Sequence, residues 1–365
     1  MTVTEHYRNL HRIPELAGNE FETAAYIEAE LAKLGYAPVR VAGRGVYADL
    51  IAHPAAKWLL FRADTDALAV EERSAAPVCS GHPGVMHACS HDSHCAMLLS
   101  AAEALRGAKL SHNIRFLFQP SEETTEGAAE VIAAGAVPEG ICAAFAMHVW
   151  PDIEKGKTAS RPGVMMASSD IFRIRLRGKS AHCARAAEGA DALRTAVDIA
   201  AALPGIRESA QDPRTVLFLG SLHGGKSHNV VCETAELFGT LRTFSGEDRE
   251  ALKARLSLAA EQAADRHKTE AEILWDMGCP MVQNDERLIS ALQSQGVEIL
   301  TTEATLAGED FSRYGAFAPA LLLWLGIGAV PPLHSPGFYV PEDALPAGVE
   351  LWQRIARTDW SWLYA

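Results

Sequence analysis

Cysteine is sparse and unpatterned in this chain, with seven in 365 residues, at positions 79, 89, 95, 142, 183, 232 and 279. An odd, scattered set argues against a disulfide framework and fits reduced thiols in a cytoplasm. Basic charge is in deficit: 33 Lys and Arg against 46 Asp and Glu give a net charge of −13. With no basic stripe, no nucleic-acid partner is expected. No apolar run approaches the roughly 20 residues of a membrane span. The opening MTVTEHYRNLHR also lacks the apolar core of a secretory signal. Neither a membrane association nor export is expected, and the location expected is cytoplasmic. Internal repeats and low-complexity segments are absent too, which excludes a solenoid. What remains, 48% hydrophobic and 22% charged residues, is the composition of an ordinary globular chain long enough for two domains.

Against that background, residues 86–96, MHACSHDSHCA, stand out. Cys89, His91, Asp92 and His94, with His87 beside them, are metal-ligand types. Thiolate and imidazole suit zinc and its first-row neighbours, whereas magnesium and calcium take oxygen. The spacing Cys-x-His is too tight for one helical face and suits an irregular turn around an ion. CAMLLSAAEAL then reads as a helix capped by Asp92 or Ser93. Cys95, at the helix start, is expected to be packed, and His87 and His94 to support the site.

The rest of the chain alternates helices and strands. Asn19 with Glu22 reads as a capping box opening an amphipathic helix that ends at Gly35. Apolar runs at 57–63, 113–119 and 143–149 read as buried strands, with helices at 96–106 and near 127–134 between them. This pattern predicts an α/β fold with a largely parallel central sheet. From about 157 the texture changes. Strands at 170–177, 215–220, 233–244 and 269–275, with helices at 190–203 and 247–267, give the β-α-β-β-α-β order of a ferredoxin-like α+β unit. An inserted domain of residues 157–276 is expected, splitting a metal-binding domain into 1–156 and 277–365.

Each of the three buried strands is followed by chemistry. Asp64 and Asp66 follow the first, Glu122 and Glu123 the second, and His148 ends the third. The carboxyl ends of strands are where open α/β sheets build their sites. At 122–123 one carboxylate can bind an ion while its neighbour addresses a water; the residues alone leave open which does which. His148, and His334 in a proline-bounded loop, complete a plausible ligand set with Cys89 and His91. At least one of Asp64 and Asp66 is expected to accept the second N–H of a ligand histidine.

LHRIPEL (10–16), FRADTDAL (61–68), MHACSHDSHCAMLL (86–99), QPSEE (119–123), MHVWP (147–151), GKSAH (178–182), GTLRTF (239–244), GEDFSRY (308–314) and LHSPGF (333–338) occur in this order. Along essentially its whole length the chain resembles the dinuclear-metal amidohydrolases grouped with aminoacylases, hippurate hydrolase, indole-acetyl-amino-acid hydrolases and, more distantly, carboxypeptidase G. The resemblance implies metal ligands Cys89, His91, Glu123, His148 and His334, and Glu122 as general base. It also implies that His182, Asn229 and Arg242 of the inserted domain bind substrate or stabilise the oxyanion. The cofactors implied are two divalent ions, zinc first, with manganese, cobalt or nickel as alternatives. The inserted domain is expected to serve as lid and as the surface of a homodimer, with His182 acting in the partner's cleft.

The sequence departs from the family's pattern at four places, three of which flank the cleft. Ser90 stands where the family usually has glycine, and Ala69 and Cys232 stand where it has proline. AHCARAAEGAD also lacks a proline usual after the lid histidine. The reading is hydrolysis of the amide bond of an N-acyl amino acid by metal-activated water. The alternatives are a dipeptidase or carboxypeptidase, or a silent metal-loaded binding protein; the presence of Glu122 speaks for chemistry.

Overall fold

The computed structural model describes residues 1–364, apart from the side chains of residues 276 and 277. The chain divides into two compact units. One comprises Met1–Met165, Val282–Ala304 and Asp310–Ala365; the other comprises Met166–Met281 and Thr305–Glu309. No helix among the described residues is long and apolar enough to cross a membrane.

The first unit is built on an eight-stranded sheet. Its strands, from edge to edge, are Val39–Val41, Gly45–Leu50, Asn113–Gln119, Trp58–Asp64, Ile141–Trp150, Ala320–Gly326, Thr158–Ser160 and Ile299–Thr301. Its central members pair in parallel, Trp58–Asp64 with Asn113–Gln119 on one side and Ile141–Trp150 on the other, and Ala320–Gly326 beyond. Every residue of Asn113–Gln119 and of Ala320–Gly326 is buried. That is why these strands read as largely apolar runs: a parallel strand is covered on both faces. Phe61 packs edge-on to Phe116 and Phe145 and stacks on Trp352 with centroids 4.7 Å apart. A stacked pair of this kind contributes about 0.5–1.5 kcal/mol beyond its area burial.

The expected helix at 96–106 begins earlier, as His91–Ala104, and is buried almost throughout. Neither Asp92 nor Ser93 is its cap. Ser90 holds that place in the left-handed region, φ 70°, without a side-chain cap bond. The helix Phe21–Lys33 likewise lacks its expected cap from Asn19. Glu15 reaches over instead and accepts from the backbone N–H groups of Glu22 (3.1 Å) and Thr23 (2.8 Å). Its far end is as expected: Gly35 takes φ 83°, with Tyr36 N–H returning to Leu31 O.

The second unit is a four-stranded antiparallel sheet in the order Glu270–Cys279, Ser168–Arg177, Thr234–Thr243, Val216–Gly224. Helices Ala192–Glu208 and Gly246–His267 pack against it. With its strands numbered along this unit the order is 4-1-3-2, the ferredoxin-like arrangement. Phe172, Ile174, Leu176, Leu237 and Leu241 form its core with Leu252 and Leu256. Its start lies later than residue 157, because Thr158–Ser160 pairs within the eight-stranded sheet and Gly163–Met166 pairs with Val282–Asn284. Three-residue strands carry too little pattern for the sequence to reveal them.

Candidate metal centre

The parallel strands deliver their carboxyl ends to one edge of the sheet, with Asp64 in register with Gln119 and Trp324 with His148. After Gln119 the chain turns sharply. Ser121 has φ 57°, and the next helix, Gly127–Ala133, starts so close to Pro120 that a Cβ on Gly127 would lie 1.6 Å from Pro120 O. Only glycine permits this approach, and the fold-back directs Glu122 and Glu123 to the sheet edge. Glu20, fully buried, accepts from both the N–H (2.7 Å) and the hydroxyl (3.1 Å) of Ser121 and fixes the turn.

Asp66 is the hub. Its Oδ1 accepts from Glu122 N–H (3.0 Å) and pairs with His91 Nδ1 (3.1 Å), while Oδ2 accepts from Glu123 N–H (2.9 Å). One carboxylate therefore sets the ring of His91 and the backbone of both glutamates, as expected of a carboxylate behind a ligand histidine. Asp64 takes the other supporting role: it accepts from His94 Nδ1 (2.6 Å) and from Arg62 (2.7 Å). His94 Nε2 in turn accepts Val149 N–H at 3.0 Å. With both ring nitrogens engaged, His94 supports the site and is not free to ligate.

Five side chains converge in front of this scaffold. Cys89 Sγ lies 3.4 Å from His148 Nε2 and 3.3 Å from His334 Nε2. Glu123 Oε1 lies 3.4 Å from His334 Nε2 and 4.0 Å from His91 Nε2. The ligand atoms of Cys89, His91 and His148, and those of Cys89, Glu123 and His334, form two sets, each within 4.8 Å, that share Cys89. A third set joins His91, Glu122 and Glu123. His148 donates Nδ1–H to its neighbour's carbonyl, Val149 O, at 2.7 Å. That fixes the tautomer and leaves the lone pair of Nε2 toward Cys89.

The electrostatics call for a cation. His91 Nε2 and Glu123 Oε1 are both buried, and neither makes a hydrogen bond. Burial opposes charge on His91, yet Asp64, Asp66 and Glu123 outweigh it and raise its pKa to about 10. Burial and the carboxylates of Glu123, Glu122 and Asp64 push the Cys89 thiol well above its usual range. A divalent ion would reverse both effects, taking the place of the His91 proton and stabilising the thiolate. One thiolate, three imidazoles and a carboxylate fit zinc or a neighbouring transition metal.

A family model described as peptidase family M20/M25/M40 matches residues 60–358. The chain belongs to this family. It is 35% identical to an N-acetyl-L-cysteine deacetylase of Bacillus subtilis, over 93% of this chain and 83% of that one. It is 32% identical to an N-acetyldiaminopimelate deacetylase of Streptococcus gordonii, over 94% of each. Among solved structures, a dinuclear metal binding peptidase of the M20 family from Bacillus subtilis superposes with a TM-score of 0.83 at 32% identity, covering 97% of this chain and 96% of that one.

In this M20-family chain the other expected site residues lie on the second unit and do not form one cluster. His182 is exposed at the head of the turn Cys183–Glu188, and its Nδ1 accepts Ala184 N–H at 3.2 Å. The proton of the neutral ring therefore sits on Nε2. Asn229 is beside it, with its backbone carbonyl accepting Cys183 N–H at 2.9 Å. Arg242 is at the opposite end of the sheet. It pairs in register with Ser169, and its Nη1 donates to Leu306 O at 2.8 Å.

Two expectations from the Cys/His segment divide. Cys95 is packed, its thiol on Asp64 O at 3.0 Å. Asp92 turns away from the five converging side chains: Oδ2 pairs with His11 Nδ1 (2.6 Å) and Oδ1 accepts Ser93 N–H (2.8 Å). The sequence reading missed His11. Its one signal was a place in LHRIPEL, a motif with no assigned role.

Proposed function

We propose that this M20-family hydrolase cleaves the amide bond of an N-acyl amino acid, adding water to yield a carboxylate and a free amino acid. The observation that carries the reading is the convergence of Cys89, His91, Glu123, His148 and His334 around buried ligand atoms that lack hydrogen-bond partners. These five residues would hold two divalent ions. When bound, such ions polarise the carbonyl and bring the pKa of water to about 7 in the case of zinc. Glu122, buried beside His91 and Glu123, removes a proton from the attacking water and returns it to the leaving nitrogen. Asp66 holds Glu122 in place through its backbone. The Nε2–H of His182, with Asn229 beside it, meets the developing oxyanion. Arg242 offers the planar fork that grips the substrate carboxylate.

The soft Cys89 favours zinc over manganese, cobalt or nickel. The free thiols at all seven cysteines support a reducing, cytoplasmic location. A homodimer through the second unit accounts for its edge strand Val216–Gly224, which presents Phe218 at 60% exposure. Such an edge is ordinarily covered.

The deacetylase names of the relatives support small acyl groups. The test is chelator-stripped protein reloaded with zinc, manganese, cobalt or nickel in turn, assayed on N-acetyl amino acids and dipeptides. Metal-restored release of acetate is the expected result. Faster cleavage of dipeptides would move the reading to a peptidase, and no cleavage at full metal occupancy would leave a binding protein.

A further inference from the structure

The motif LHRIPEL lies behind the five converging side chains. His11 closes the helix Val3–His11 and is 2% exposed. Its Nδ1 is 2.6 Å from Asp92 Oδ2, and its Nε2 is 3.2 Å from Glu72 Oε1. A carboxylate only accepts, so the ring must carry a proton on both nitrogens and be an imidazolium. The C-terminal end of a helix is a favourable place for that charge. The two carboxylates more than offset burial and raise its pKa to about 10.

Each arm of this clamp leads to a ligand-bearing segment. Asp92 follows His91 directly, in the first turn of His91–Ala104. Glu72 fastens its own loop, accepting from Ser80 N–H (2.6 Å) and the Ser74 hydroxyl. The next residue, Arg73, donates its N–H to Pro336 O at 2.7 Å, two positions past His334. His334 sits at φ 64° and donates its N–H to Ala88 O at 2.8 Å, beside Cys89. The loop bearing His334 and the turn bearing Cys89 and His91 are thus tied to each other directly and, through Arg73, Glu72 and Asp92, to His11.

We propose that His11 is a positioning residue for metal binding: its doubly bonded imidazolium fixes the turn carrying Cys89 and His91 relative to the loop carrying His334. This inference depends on the metal-centre reading above. The two fail separately, since a parent protein that bound no metal through Cys89 would sink that reading before any variant was made.

The experiment titrates chelator-stripped full-length protein with Co²⁺, following the thiolate-to-cobalt absorption that Cys89 would give, and melts each metal-free variant in parallel. In His11→Gln the amide can serve one carboxylate but bears no charge. The expected result is a cooperative melt, a Co²⁺ midpoint about 10–100-fold higher, as for other groups that orient metal ligands, and an altered thiolate band. Glu72→Gln should shift the midpoint in the same direction by a smaller factor. Lower melting temperatures with the parent's midpoint and band in both variants would show a role in stability alone and overturn the proposal. If His11→Gln fails to fold, Glu72→Gln decides: an unchanged Co²⁺ midpoint there overturns it as well.

Discussion

Glu122 and Glu123 are adjacent, and both their backbone N–H groups go to Asp66, yet their side chains are assigned different work. Glu122→Gln keeps the size and most of the hydrogen-bonding shape but cannot take a proton. General acid–base catalysis contributes about 10²–10⁴-fold, and in the proposed reaction one residue both accepts the proton and returns it. The expected loss in kcat is at or beyond the upper end of that range, with metal content unchanged. Glu123→Gln should lose metal as well as rate. Metal analysis beside steady-state kinetics checks the pair, and the opposite pattern would exchange the two roles. At this scale much was legible. Cys89 and His91 stand out by residue type and spacing, His334 by its proline-bounded loop, and His148 only in company with them, while a carboxylate behind His91 follows from how ligand histidines are oriented. His11 was not legible, because its partner Asp92 lies 81 positions away and no local spacing links the two. Ser90 is intelligible only from the backbone. Its φ of 70° is a conformation that glycine adopts without steric cost, and its hydroxyl, 2.6 Å from that of Ser93, offsets part of that cost for serine.

Elements were legible in proportion to their burial and length. The strands Asn113–Gln119 and Ile141–Trp150 are buried throughout or nearly so. The edge strands Val39–Val41 and Ile299–Thr301 have three residues each, and their pairing is a matter of tertiary position. Helix starts were the weakest point, because a local capping pattern at Asn19 lost to a remote one. Glu15 supplies two acceptors to the first turn of Phe21–Lys33, and its own carbonyl accepts Ala67 N–H at 2.7 Å, next to Asp66. Glu15→Ala strips both acceptors from a helix N-terminus and should cost about 1 kcal/mol. Glu15→Gln, which keeps one acceptor, should cost less. Urea unfolding of both variants checks this; equal stability of Glu15→Ala and the parent would show that water caps the helix as well as Glu15 does.

At the scale of the whole molecule, the ferredoxin-like order was legible because six long elements carry it, whereas its limits depended on short strands and on Thr305–Glu309, far away in sequence. The sheet of that unit has a consequence for assembly. Arg242 pairs with Ser169 at one end, while Thr234 pairs with Arg177 at the other, and His182 lies beyond Arg177. Eight residues of strand separate the two ends, roughly 26 Å at about 3.3 Å per residue. An N-acyl amino acid is far shorter. If both residues touch substrate, they do so in different clefts, which a homodimer allows and a monomer does not. Subunits bearing His182→Ala and subunits bearing Glu122→Gln should each be inactive alone. After equal mixing and exchange, half the dimers are hybrids, and each hybrid pairs one intact Glu122 with the other subunit's intact His182. Activity should return to about a quarter of the parent's. The measurement is hydrolysis before and after exchange, with exchange followed independently by a size or affinity tag. No recovery despite confirmed hybrids would return His182 to its own subunit's cleft, or remove it from the reaction. Recovery would show that neither cleft is complete without the other copy.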